Sequence, residues 1–374
     1  MLFRSNTDND FKRYDVINSS EQLDRNRSNR FKYDENINAG YVNYNYPFTG
    51  FMIQAGLRVE NTIAKGVSTG EKLNGSGYEA VKTEFKRDYL DFFPSAAFTY
   101  NKNPMNQWSL SYSRRIDRPG YQNLNPFEFK LDEYTSQRGN TNLQPQYTNS
   151  FGLTNTFKYK LNTSLNYSHV NNLFTQIIDT TEGNKAFITQ KNLATQDVMS
   201  LNISYPFMYK TLTVFANINT NYSKYQADFG NNRKIDADAF GLTAMTQASY
   251  KFAKTWTAEL MAFYNAPTIY QGTFKASSLW MMEAGMQKQL FGGKGNLKAS
   301  FGDVFNSLRF SANSDFAGQK VKFSANPETQ MFKLNFTWRF GSTTVKAAKQ
   351  RTIGAEDELK RAQSDGGGLG PVKQ

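Results

Sequence analysis

The chain has 374 residues, a formal net charge of +12, 39% hydrophobic and 15% aromatic residues, and no cysteine. Without cysteine there is no disulfide framework and no thiolate chemistry, and no run of roughly 18 apolar residues is present to cross a membrane as a helix. A mean hydropathy of −0.64 leaves little for a thick dry core but enough for one apolar face per strand, and the Lys and Arg residues are scattered through turns, which argues against nucleic acid as a partner.

Residues 1–32 are charged and asparagine-rich without alternation, and are expected to be a polar loop remnant of a truncated N-terminus. The opening MLFRSNTDNDFKRYD carries no apolar signal core. From residue 33 to 341 a period of two dominates, the mark of β-strands with one apolar face. Ile53, Ala55, Leu57 and Val59 alternate with Gln54, Gly56 and Arg58. Leu161, Leu165 and Tyr167, then Leu201, Ile203 and Tyr205, repeat the pattern. In the stripe Leu212, Val214, Ala216, Ile218, Val214 is expected near mid-bilayer. Phe240 to Phe252 follow, and Trp256, Ala258, Leu260, Ala262 and Tyr264 form the least clean strand, because Met261 and Phe263 lie between them. The last strand is FKLNFTWRFG, with Phe332, Leu334, Phe336, Trp338 and Phe340 on one face.

The connections between these stripes alternate in length. Short ones fall at 47–50, 102–106, 158–160, 207–210, 253–255 and 292–295; long polar ones fall at about 62–88, 117–146, 170–196, 224–238, 266–277 and 306–327. Aromatics flank the short set, including Tyr205, Phe207, Trp256, Trp338 and Phe340, where a ring with a polar tip suits the boundary of hydrocarbon and water. These features predict an all-β fold: a transmembrane antiparallel up-and-down β-barrel, with short turns on one side of the membrane, long loops on the other and lipid against its apolar face. About thirteen strands can be counted. Residues 342–374 read as a polar periplasmic tail, with Glu356 four residues before Lys360 as in a short solvated helix.

The stretch 112–148 contains Arg118-Pro119, then Asn125-Pro126-Phe127, then Gly139-Asn140 with Leu143 and Pro145. In that order and spacing it resembles the signature of TonB-dependent outer-membrane receptors, and most closely the outer-membrane β-barrel family related to them. That pattern usually has Glu where this chain has Gln146. The resemblance implies an outer-membrane location and a barrel of about twenty-two strands with a plugged lumen. The present strands would then be the tenth to the last, an odd number whose two ends would meet parallel. It also implies partners: the barrel assembly machinery reading the last strand, a plug and first strands from the same parent chain, and an energy-coupling protein reached through that region. The implied function is binding and uptake of a nutrient. The alternative is a structural or adhesive surface barrel without transport.

Catalytic constellations are missing from the sequence. His169 is the sole histidine, so a multi-histidine metal site is excluded, and no metal or cofactor is expected. A barrel hydrolase would need a dyad or triad that one histidine does not supply, so no enzyme activity is expected. His169 is expected at a loop edge or interface. The charged residues Arg114, Arg115, Asp117 and Arg118, where a strand enters a long loop, and the pair Asp132-Glu133 are the candidates for meeting a ligand. The competing reading is that the first four pair with each other or with headgroups, and that the acidic pair is a solvated loop. Arg115, opposite in phase to Tyr112, is expected to face the lumen.

Overall fold

A computed structural model describes residues 2–75, 77–179, 186–228, 234–270, 274–316 and 319–340. The main sheet has 16 strands, of which Glu128–Lys130 and Thr135–Arg138 attach off the main path, leaving fourteen that follow one another in chain order. These are β1 (Leu2–Phe11), β2 (Asn29–Phe48), β3 (Phe51–Asn74), β4 (Gly77–Tyr100) and β5 (Asn106–Asp117). Then come β6 (Gln146–Phe157), β7 (Leu161–Asp179), β8 (Ala186–Tyr209), β9 (Leu212–Asp228) and β10 (Lys234–Lys251). The last are β11 (Trp256–Asn265), β12 (Leu279–Leu290), β13 (Gly295–Gly302) and β14 (Met331–Trp338). Every adjacent pair is antiparallel, and among the described residues β1 and β14 do not pair with each other.

The additional strand lies in residues 1–32. The expectation of a loop there is corrected: Leu2–Phe11 pairs residue for residue with Asn29–Asn38. Its sequence hides the strand because neither face meets lipid. Arg4, Asn6, Asp8 and Asp10 line one side, and Asp8 pairs with Arg30 at 2.7 Å. With fourteen strands rather than about thirteen, the end strands run antiparallel to each other, not parallel. The loop expected at 62–88 is likewise a hairpin, with β3 and β4 each 24 residues long. Spanning takes about 9–11 residues, so more than half of this hairpin stands clear of a bilayer, and its polar residues there gave no alternation to read. The tail expected at 342–374 lies outside the described residues.

Residues opposed across an antiparallel ladder share a face, so the registers show whether the strand patterns agree. They do. Tyr46, Ile53, Phe98, Leu110, Leu153, Leu165 and Leu201 form one continuous row, and Phe207, Val214, Ala248, Leu260, Ala284, Phe301 and Phe332 form another. This face is bare protein surface, with Leu110 at 55% and Leu334 at 63% exposure. The opposite face is hydroxyl, amide and glycine, as in the row Asn45, Gln54, Ala97, Ser111, Gly152, Asn166, Ser200, Asn221, Gly241. Its side chains bond across strands, for example Thr154 with Ser164 at 3.0 Å and Ser150 with Ser168 at 2.9 Å. On the apolar side the band ends at a row of Arg114, Asn149, His169, Asp197, Lys224 and Asp238. On β9 the apolar stripe therefore runs from Leu212 to Tyr222. Val214 is two residues above the short turn rather than at the middle; the middle falls between Ala216 and Ile218.

Candidate functional site

The long-loop end of the polar face holds the one buried cluster of the chain's described residues. Phe31 and Tyr33 of β2 and Ala64 of β3 meet Tyr121, Leu124 and Leu143, with Phe85 and Phe174 packed around them. The last three residues belong to the segment 118–145, which leaves the wall after β5 and folds back over the polar face. Its departure has a local cause. The β4–β5 ladder covers only Ser95–Tyr100 against Trp108–Ser113, although β4 is paired with β3 along its full length. The next residue up β4 is Pro94, which has no N–H to give a neighbour. Arg114 closes the gap, donating from Nη1 to the Phe92 carbonyl at 3.0 Å and lying over the Tyr147 ring at 4.9 Å. The Tyr147 hydroxyl donates to Asp91 Oδ2 at 3.0 Å.

Arg118 anchors the start of the segment. Its Nη2 donates to Glu60 Oε2 at 2.7 Å and Thr62 Oγ1 at 2.9 Å, and its Nε donates to the Tyr89 hydroxyl at 3.2 Å. Arg118 and Glu60 are only 7% and 6% exposed, and Glu60 also forms an ion pair with Arg58, Nε to Oε1 at 3.1 Å. A charge so buried is tolerated only when paired and hydrogen-bonded, as here. The Arg-Pro of the motif is thus a buried anchor, with Pro119 buried beside it.

Asn125 and Gly139 tie the segment to itself. The Gly139 N–H donates to the Asn125 carbonyl at 2.9 Å, and the Asn140 N–H donates to the Asn123 carbonyl at 2.6 Å. A Cβ on Gly139 would sit 2.4 Å from the Asn125 oxygen, so only glycine permits this approach. Asn125 Nδ2 donates to Asn29 Oδ1 at 3.1 Å, and Phe127 meets Phe11 of β1 with ring centroids 6.2 Å apart. Asn140 caps its own turn by accepting from the Asn142 N–H and donates to the Gln190 carbonyl of β8 at 3.0 Å. Leu143 is fully buried, and Pro145 is buried. The motif residues therefore fix one compact fold of the segment. Gln146 has a use that Glu would lack: its Nε2 donates to Asp117 Oδ2 at 3.2 Å, where a carboxylate would repel.

The other expected ligand residues are placed as follows. Arg115 is exposed and lies on the polar phase of β5, opposite Thr148. Asp132 does not join Glu133. Asp132 accepts from the Tyr134 N–H at 2.8 Å and the Thr135 N–H at 2.7 Å, and those bonds hold its carboxyl below the ordinary range. Glu133 pairs with Lys130 at 3.0 Å. His169 is on the apolar phase at the edge of the band, with Nδ1 2.7 Å from Asp197 Oδ1 and Nε2 3.1 Å from Asn171 Oδ1. Among the described residues no group of three or more His, Cys, Asp or Glu could hold a metal. The interface aromatics flank short turns on the apolar face: Trp338 packs on Phe291 at 4.6 Å, Phe252 faces Trp256 at 6.5 Å, Tyr205 and Phe207 are exposed, and Phe340 is 90% exposed.

Sequence reasoning missed Glu60, Asp91 and Asp303. Glu60 had a weak signal, a carboxylate two residues after Arg58 on the polar phase of an alternating strand. Asp303, fully buried after β13, takes φ of 45° and accepts from the Ser307 and Leu308 N–H groups at 2.8 and 3.1 Å and from the Ser307 and Thr329 hydroxyls. Burial alone would raise its pKa, but these bonds outweigh it and hold the carboxyl down at about 2.

In fold, the chain is similar to the ferric yersiniabactin uptake receptor FyuA from Yersinia pestis, with a TM-score of 0.63, 10% identity, and coverage of 90% of this chain and 50% of that one. It is similar to the ferric-catecholate import receptor Fiu from E. coli K12, closed form, with a TM-score of 0.62, 16% identity, and coverage of 91% and 51%. The siderophore receptor PiuA from Acinetobacter baumannii gives a TM-score of 0.53, 13% identity, and coverage of 85% and 44%. The chain thus spans about half the length of the solved structures it matches. A search of curated protein sequences finds no match. The profile of one family covers residues 2–338, and with the alternating rows, the antiparallel path and the folded motif segment it places the protein in the outer membrane: the chain belongs to the outer membrane protein beta-barrel family.

Proposed function

We propose that the chain forms the barrel wall of an outer-membrane receptor that binds a nutrient at its long-loop end and takes it up with TonB-dependent energy coupling. The observation that carries this reading is the segment 118–145, folded back over the polar face and pinned there by the buried Arg118–Glu60 pair. A barrel serving only as a surface scaffold has no need of a compact polar shelf beneath its loops. The similar folds are uptake and import receptors. In this reading Arg115 and Asp117, on the polar phase beside that shelf, face the incoming ligand, and a plug and further strands come from the same parent chain. The energy-coupling protein acts through that plug.

The test is accumulation of labelled nutrients, metal chelates first, by cells with and without the gene. Uptake that needs the gene, the proton-motive force and the coupling protein supports the reading. Surface binding that survives loss of energy, with no accumulation, replaces it with the adhesive one.

A further inference from the structure

The short turns share a chemistry that neither the fold nor uptake requires. Every short turn after the first carries lysine: Lys102, Lys158 with Lys160, Lys210, Lys254 and Lys294. No Asp or Glu lies in any of them, whereas five of the six long connections carry both signs. All six lysines are exposed. They are not on loose loops, because neighbouring turns are laced to one another by backbone hydrogen bonds. The Asn101 N–H donates to the Gly50 carbonyl at 2.9 Å, Lys158 N–H to Met105 at 2.6 Å, Lys251 N–H to Thr211 at 3.0 Å, and Arg339 N–H to Lys294 at 2.8 Å.

Two further observations mark these positions. Lys158 and Lys210 take left-handed backbone, φ 51° at each, where Gly or Asn would cost less. Their ammonium groups lie over the interface aromatics: Lys158 over Phe157 at 5.1 Å and Lys210 over Tyr209 at 5.3 Å. Further round the sheet, Lys288 of β12 lies over Trp256 of β11 at 4.8 Å. Each amine is thereby held at the level where the apolar band ends, which is the depth of lipid phosphates.

We propose that the short-turn rim is a cationic collar that binds anionic phospholipid headgroups, selecting a phosphodiester of net negative charge over a zwitterionic one. The partner is a lipid surface because the amines sit at ring depth around the wall. An acidic protein would call for a cluster projecting below it.

The assay uses the protein reconstituted in bilayers and its own tryptophans. Trp108, Trp256 and Trp338 lie near the short turns, and Trp280 lies toward the long loops. Quenching by brominated phosphatidylglycerol is compared with quenching by brominated phosphatidylcholine. The expected preference is at least about threefold for phosphatidylglycerol, falling to about one in 1 M salt and in the combined variant K158Q/K160Q/K210Q/K254Q. The corresponding Arg variant retains it. Equal quenching by the two lipids in the unsubstituted protein overturns the proposal. So does a preference that the Gln variant keeps, or that salt leaves untouched; the salt titration decides even where the Gln variant does not fold. Uptake is not an input to this experiment, so its outcome is independent of the receptor reading.

Discussion

An arginine placed along β9 reads the depth of the apolar band directly. Ile218 stands six residues above Leu212, where the strand leaves its short turn. At a rise of about 3.4 Å per residue and a tilt of about 45°, that is roughly 14 Å along the membrane normal, close to the middle of the apolar layer. Its neighbours across the ladders are Ile203 and Ala244, so nothing polar on that face is available to a guanidinium. Ile218→Arg is expected to cost about 2–4 kcal/mol of folding free energy in bilayers. Val214→Arg, roughly 5 Å above the turn by the same conversion, lets the side chain reach the interface and costs about 0–1 kcal/mol. Asn219→Arg, on the polar face with Asn202 opposite, costs little. The measurement is the urea midpoint for folding into phospholipid vesicles, with folded protein scored by heat-modifiable gel migration. Equal losses at 218 and 219 would refute the assignment of faces. Equal losses at 214 and 218 would refute the depth.

Arg118→Met is expected to destabilise the protein by about 3 kcal/mol by taking from Glu60 its one buried partner and leaving only the exposed Arg58 beside it, and the double change with Glu60→Met to recover much of that loss in the same assay. Gly139→Ala forces its methyl against the Asn125 carbonyl; a cost of about 1–3 kcal/mol is expected, seen as faster proteolysis within 118–145. Asp303 has a folded pKa held at about 2, below the ordinary value of about 3.9. Its roughly 2 kcal/mol is therefore fully present above about pH 4 and lost as pH falls toward 2. Urea midpoints of Asp303→Asn should be lower than those of the parent at pH 5 and should show less change between pH 4 and 2. Trypsin added to intact cells should cut near Lys130, beside the exposed Leu131 and Tyr134, and should spare Lys158 and Lys210 until the membrane is permeabilised. The reverse order would invert the sidedness.

The strands that face lipid were legible because hydrocarbon on one side and water on the other impose strict alternation. Leu161 to Tyr167, Leu212 to Ile218 and the final FKLNFTWRFG could be read without a partner strand in view, and the turns between such stripes were placed to within three residues. The same physics hid β1 and the upper halves of β3 and β4. Above the bilayer both faces meet water or polar neighbours, so Asp8 opposite Lys32 carries no periodic signal. That missing strand carried the parity error with it, since one uncounted strand reverses the sense in which the ends face each other.

The site divides along the same line. Residue order alone marked Arg118, Asn125, Gly139, Asn140 and Leu143 as a set, but not what the set does. Glu60, 58 residues earlier in the chain, is the partner that makes Arg118 an anchor, and only the pairing of β3, β4 and β5 side by side and the inward fold after β5 bring them together. Asp132 and Glu133 are adjacent in sequence, yet one caps a turn and the other reaches a lysine, because hydrogen-bond geometry rather than proximity along the chain assigns a carboxylate its partner. Alternation is a local consequence of two solvents and is written residue by residue. Pairing of buried charge is decided by which strands lie side by side, and that is a property of the assembled wall.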